Sequence, residues 1–178
     1  MEPLRDLDEW SIRRALGEFA TGITVVTTKG PYGFACQSFT SLSLNPPLVL
    51  FTVMRTSRTW PFIEENGTFT VNVLTAEQQH ISETFGHSAR DKFAVGTWED
   101  SPLGNPALVG SAIWIDCEVH QVHDGGDHHI VIGRVCDIGH RQDEGTKPLV
   151  YHRGSYTRLD DPGHDADRAA MSDQRPSL

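Results

Sequence analysis

Residues 123–133, HDGGDHHIVIG, place three histidines and two aspartates around a double glycine. Side chains of these types bind a metal, move or hold a proton, or decorate a solvated turn. A metal site needs three or four ligands converging at about 2.0–2.2 Å. His128 and His129 are consecutive in an expected strand, so their side chains leave opposite faces, and His120 and His123 also differ in parity. No metal is therefore expected. Gly125-Gly126 is expected to form the turn, with Asp124, His123 and His129 in solvent. On the same plain reading Asp127 and His128 are solvated as well.

Two further stretches carry polar groups at useful spacing. In ACQSFTSLSLNPPLVLFTV hydroxyl and apolar residues alternate, so Ser41 and Ser43 are expected on one face, and Leu42 and Leu44 on the other. With Gln37 and Ser38 upstream, that face would offer small donors and open backbone amides, suited to the pyrimidine edge and ribityl chain of a flavin. The plainer alternative is that Ser and Thr fill solvent-facing strand positions. In TSRTW, Ser57 or Thr59 can cap a following helix beside Arg58, a combination that suits a phosphate. Its alternative is an ordinary cap next to a surface arginine.

The elements that must hold these residues are mainly strands. Asp6 or Asp8 can cap a helix through EWSIRRALGEFA, with Ile12, Leu16 and Phe19 as one apolar stripe and Gly22 as its stop. Strands are expected in ITVVTT, FACQSFTSLSL, PLVLFTVM and TFTVNVL, and short helices in TWPFIEEN and AEQQHISETFG. Over 112–122, Ile113, Ile115, Cys117 and Val119 share one face, while Trp114, Asp116, Glu118 and His120 share the other. HHIVIGRVCDI returns as the partner of a hairpin, and PLVYHRGSYTRL closes the ordered part. This order predicts a mainly β protein with short helices, an antiparallel barrel and no βαβ sheet. No GxGxxG, GxxxxGK[ST] or GxSxG motif occurs.

The 178 residues, 38% hydrophobic, suit one domain, expected over 1–159, with a disordered acidic tail over 160–178. A net charge of −9 argues against nucleic acid or an anionic membrane as the main partner. The opening MEPLRDLDEW shows neither a signal peptide nor a membrane span. Cys36, Cys117 and Cys136 form no CxxC pair and lie in apolar runs, which fits a reduced, cytoplasmic protein.

The runs TGITVVTT, GFACQSFTSLSLNPPLVLF, SRTW, FTVNVL, DKF, HDGGDHHIVIG and YHRGSYT, in this order, resemble the flavin reductase family, over about residues 10–158. These are short-chain NAD(P)H:flavin oxidoreductases that supply two-component monooxygenases. The resemblance implies an FMN-binding split β-barrel with Greek-key connections, commonly a homodimer, taking FAD or FMN as flavin and NADH or NADPH as co-substrate. Carried over by position, Gln37, Ser38, Phe39, Thr40, Ser41 and Ser43 would line the ring and ribityl chain. Ser57, Arg58 and Thr59 would hold the phosphate, and Phe85, Lys92 and Phe93 would contact the flavin from the helical segment. His128, oriented by Asp127, would lie beside the nicotinamide. Tyr151, Arg153 and Tyr156 would close that side or serve only as core and rim packing.

Hydride transfer from nicotinamide C4 to flavin N5 belongs to the cofactors, so the protein need only hold the rings in contact, about 3–3.5 Å between reacting atoms. The expected activity is reduction of FAD or FMN and release of the product to a separate flavin-dependent monooxygenase. Two alternatives are a split-barrel oxidase that keeps its flavin, of the pyridoxamine-phosphate-oxidase type, and a flavin-binding module without turnover.

Overall fold

The computed structural model describes residues 8–88, 91–140 and 146–159. The elements are α1 (Glu9–Leu16), β1 (Thr21–Gly22), β2 (Thr24–Thr28), β3 (Tyr32–Cys36), β4 (Thr40–Leu44), β5 (Pro47–Met54), α2 (Trp60–Asn66), β6 (Thr68–Val73), α3 (Gln79–Gly86), β7 (Trp98–Asp100), β8 (Pro106–Leu108), β9 (Ile113–Gly125), β10 (His128–His140), β11 (Val150–His152) and β12 (Ser155–Thr157). Seven strands form one antiparallel sheet in the order β3-β2-β6-β9-β10-β5-β4. A small sheet, β1-β11-β12, and the β7-β8 pair complete the strands. The long sheet curls without closing, as a split barrel does. The tail expected over 160–178 lies outside the described residues. Among the described residues no helix is long and apolar enough to cross a membrane.

Side chains that alternate inward along these strands fill the core. Phe51 on β5 and Phe69 on β6 meet edge to face at 5.1 Å, fully buried with Val26, Val71, Cys117 and Val131. Truncating either ring would cost about 3–5 kcal/mol. A second cluster joins Ile23, Val25, Leu74, Ile81, Phe85 and Leu108 under α3.

Several sequence expectations are corrected. Asp8 does cap α1, accepting from the Ser11 amide at 2.7 Å, but the helix stops at Gly17, five residues before Gly22. Its stripe is open: Ile12, Leu16 and Phe19 are 40%, 70% and 78% exposed. FACQSFTSLSL is two strands, because Gln37 to Phe39 leave the ladder between β3 and β4. Cys136 is exposed, unlike Cys36 and Cys117, and all three cysteines are free. On the face shared by Trp114, Asp116, Glu118 and His120, about which the sequence made no burial statement, Asp116 is completely buried. Its carboxylate accepts from the Thr70 hydroxyl, from the Ser101 hydroxyl at 2.8 Å and from the Leu103 amide at 2.8 Å. The segment after β7 covers that face, so strand alternation alone does not reveal it.

Candidate functional site

Three neighbouring segments build the site. β4 is the last strand of the long sheet and pairs only with β5, so one side of its backbone carries no ladder. Thr40 and Ser41, both exposed, stand on that edge, with Ser43 half-buried beyond them. A bulge lies between Ser41 and Ser43: Ser41 pairs with Val49 and Ser43 with the very next residue, Leu48. The expected alternation, with both serines on one face, is therefore broken at Leu42. An extra residue in one strand bends the edge and re-aims its side chains.

Upstream, Gln37 is exposed and Phe39 packs on the core. The Ser38 hydroxyl accepts from the Thr52 amide at 2.9 Å and lies 3.3 Å from the Cys36 thiol. This seam ties the end of β3 to β5, so the Ser38 side chain braces the rim.

The next segment is the loop after β5. Thr59 occupies the N-cap of α2 but its side chain caps nothing there; it donates to the Gly33 carbonyl at 3.2 Å. Ser57 Oγ accepts from the Thr59 amide at 3.3 Å, and Arg58 is exposed beside them. The Gly33 carbonyl also accepts from Lys92 Nζ at 3.3 Å, and the Phe85 carbonyl accepts from the same ammonium at 3.0 Å. Lys92 thus stands behind the loop, its pKa lowered by burial. Phe85 is wholly buried, packed on Phe93 at 5.1 Å, and supports the loop from within the core.

The third segment is the tip of the β9–β10 hairpin. Its turn is Gly126-Asp127, one residue later than expected, because Gly125 stays in the strand opposite His128. Gly126 supplies the positive φ, 79°, that such a turn demands. His128 pairs with Met54 on β5, which brings it next to the loop at 55–59. Its Nδ1 lies 2.6 Å from an Asp127 carboxylate oxygen, and this bond holds the Asp127 carboxyl below the usual carboxylate range. His129 leaves the opposite face and stacks on Trp60, ring centres 5.1 Å apart. His123 reaches only Gln121, at 3.2 Å.

Sequence reasoning missed Arg55. Its amide donates to the Asp127 carbonyl at 3.0 Å, its Nε to the Gly126 carbonyl at 2.8 Å, and its guanidinium pairs with Asp124 at 2.8 Å. One residue thereby fastens the hairpin tip to the end of β5. No local pattern marks it, since its partners lie about 70 residues away in the chain.

Tyr151 and Tyr156 lie in the small sheet, on β11 and β12, and Arg153 lies in the turn between them. The two tyrosine rings meet edge to face at 5.2 Å, and the Tyr156 hydroxyl lies 3.0 Å from Ser82 Oγ on α3. Arg153 pairs with Glu18 at 2.6 Å.

These residues suit a flavin. The free edge of β4 matches the hydrogen-bonding edge of its ring, and a loop bearing Arg58, with Lys92 behind it, matches its phosphate. An antiparallel split barrel with an open strand edge, a cationic loop and a histidine-bearing hairpin tip is a scaffold that could hold a small phosphorylated ring compound. The chain belongs to the flavin reductase like domain family, which matches residues 16–160. It is 49% identical over 157 residues to the reductase subunit HsaB of a flavin-dependent monooxygenase from Rhodococcus jostii, covering 86% of this chain and 80% of that one. Nitrilotriacetate monooxygenase component B from Mycobacterium thermoresistibile superposes with a TM-score of 0.84 at 44% identity, over 97% of this chain and 92% of that one. The NADH:FAD oxidoreductase SgcE6 of Streptomyces globisporus, solved with NAD and FAD fragments, superposes with a TM-score of 0.86 at 32% identity, over 93% and 100% of the two chains.

Proposed function

We propose that this chain is an NAD(P)H:flavin oxidoreductase, which reduces FAD or FMN and releases it to a flavin-dependent monooxygenase. The observation that carries the reading is the continuity of β4, the 55–59 loop and the hairpin tip across the neighbouring strands β4, β5 and β10. When bound, the nicotinamide supplies a hydride and the flavin accepts it, leaving the oxidised dinucleotide and reduced flavin.

The protein's own part is placement. The open amides of β4 around Thr40, Ser41 and Ser43, with Gln37 and Phe39 at the rim, hold the ring and favour negative charge on its pyrimidine side. Ser57 and Arg58 hold the phosphate, while Thr59, whose amide and hydroxyl are both spent within the protein, shapes the loop; Lys92, Phe85 and Phe93 fix the loop from behind. His128, oriented by Asp127, positions the nicotinamide through a ring N–H, and Tyr151, Arg153 and Tyr156 bound the same side. Nothing in this set needs to form a covalent bond. The working unit is the 1–159 domain.

The relatives' reductase-subunit names support an oxygenase partner supplied by diffusible reduced flavin. A homodimer is supported by the apolar stripe Ile12, Leu16 and Phe19, which the barrel leaves uncovered. Free cysteines support a reducing, cytoplasmic setting. The decisive experiment mixes purified protein with NADH or NADPH and an excess of FAD or FMN under anaerobic conditions. Catalytic bleaching of the flavin absorbance is expected; no bleaching in any of the four combinations would overturn the reading.

A further inference from the structure

A groove runs between α1 and the β11–β12 turn, away from the β4 edge. Its walls include Trp10, Arg13, Arg14, Glu18, Arg153 and Gly154. Three guanidiniums therefore meet two carboxylates, Glu18 in the groove and Glu9 behind Arg13, a local cationic excess on a chain whose net charge is −9. At 100° per residue, Trp10, Arg13, Arg14 and the capping Gly17 share one face of α1, whereas Ile12 and Leu16 lie opposite. The groove thus takes the cationic face of the helix, and both faces are exposed.

The groove is built by tertiary contacts. Arg153 adopts a left-handed backbone, φ 50°, at the turn, and its amide donates to the Gly17 carbonyl at 2.9 Å. Its side chain makes a fork to Glu18, at 2.9 and 2.6 Å. Non-glycine residues held at positive φ are costly and gather at ligand sites. Arg14 stands over the Trp10 ring, 5.4 Å from its centre, and that indole is 67% exposed. Arg13 pairs with Glu9 at 2.8 Å.

An exposed indole beside a fork of guanidiniums recognises an aromatic base joined to phosphate. We infer that this groove seats the ADP group of a dinucleotide, with adenine on Trp10 and the phosphates on Arg14, Arg13 and Arg153. NADH and FAD both carry that group, whereas FMN does not. The inference rests on the proposed reductase reading and extends it to a second part of the ligand.

ADP itself is the probe. Titrating the flavin-free full-length protein with ADP, followed by calorimetry, should show binding that weakens about tenfold in Arg14→Ala and in Trp10→Ala. The binding should also weaken as salt rises. Both side chains are exposed, so the variants should fold, which circular dichroism would check. Steady-state assays then separate the sources. A raised KM for NADH with FMN as flavin assigns the groove to the nicotinamide dinucleotide. A raised KM for FAD, with FMN and NADH unaffected, assigns it to the flavin dinucleotide. Absence of ADP binding, or ADP binding that neither substitution alters, overturns the inference. Wild-type protein that binds ADP in this groove but never bleaches flavin would overturn the reductase reading and leave the groove standing.

Discussion

Arg55 and Asp124 form an ion pair at 2.8 Å that closes a three-point clamp on the hairpin tip. The other two points are bonds from Arg55 to the Gly126 and Asp127 carbonyls. An exposed ion pair contributes little to stability, because water and salt screen it. Its importance here is positional, because the clamp sets where His128 stands relative to the 55–59 loop. Arg55→Ala should lower kcat/KM for NADH by about tenfold, since small displacements of a positioning group are costly. The melting temperature should hardly move. Arg55→Lys keeps the charge but loses the fork, so it should fall between the two. Equal activity of all three proteins would remove the clamp from the mechanism.

His128 is the residue through which that clamp would act. His128→Ala should raise KM for NADH or slow flavin reduction about tenfold, equivalent to ~1.4 kcal/mol. Asp127→Asn, which keeps the size of the side chain but weakens its hold on His128, should show a smaller effect in the same direction. Stopped-flow reduction at varied NADH separates binding from hydride transfer. Flavin affinity, read by fluorescence quenching, should stay unaltered in both variants if the hairpin serves the nicotinamide alone.

Much of this arrangement could be read from residue types, and what escaped has physical causes. Strand alternation and the glycine pair located the β9–β10 hairpin, because burial on one face imposes a period of two. The turn fell one residue later, since only Gly126 takes the positive φ and Gly125 remains paired with His128. The SFTSLSL run correctly marked an exposed strand, but the bulge at Leu42 depends on how β4 meets β5, which no single strand encodes. Arg55 and Asp116 were invisible for a common reason. Each owes its role to partners brought close only by folding: the hairpin tip for Arg55, and Thr70, Ser101 and Leu103 for Asp116. The reverse error concerns α1, whose regular apolar stripe predicted burial yet faces outward.

The hairpin tip should respond to acid in one direction. Asp124 is held below the usual carboxylate range by the Gly126 amide first and by Arg55, and Asp127 by His128. Groups whose folded pKa is depressed stabilise the structure above their unfolded pKa and lose that contribution as pH falls through the folded value. The tip should therefore keep its order from neutrality down to the ordinary carboxylate range and loosen only below it. Amide hydrogen exchange at residues 124–128, compared at matched intrinsic rates across that range, reads this directly. Loosening that begins as pH rises above neutrality would contradict the assignment of these carboxylates.

Asp116 tests how far the barrel depends on a buried charge-bearing group rather than on apolar packing. Its carboxylate satisfies two hydroxyls and one amide, and Asn105 Nδ2 adds a longer bond at 3.4 Å. Asp116→Ala would leave these donors in a site closed to water, at a cost of about 2–4 kcal/mol. Asp116→Asn keeps the volume but turns one acceptor into a donor facing other donors, so it should recover only part of that loss. Gly133→Ala provides the apolar comparison. An added Cβ there would collide with the Phe69 ring and lie 3.2 Å from Cys117 Cβ, both fully buried. Overpacking of this kind costs about 1–3 kcal/mol. Urea unfolding of the three variants should rank Asp116→Ala as the least stable. If Gly133→Ala proves the worse, Phe69 cannot yield, and the rigidity of the barrel lies in its aromatic pair more than in the buried carboxylate.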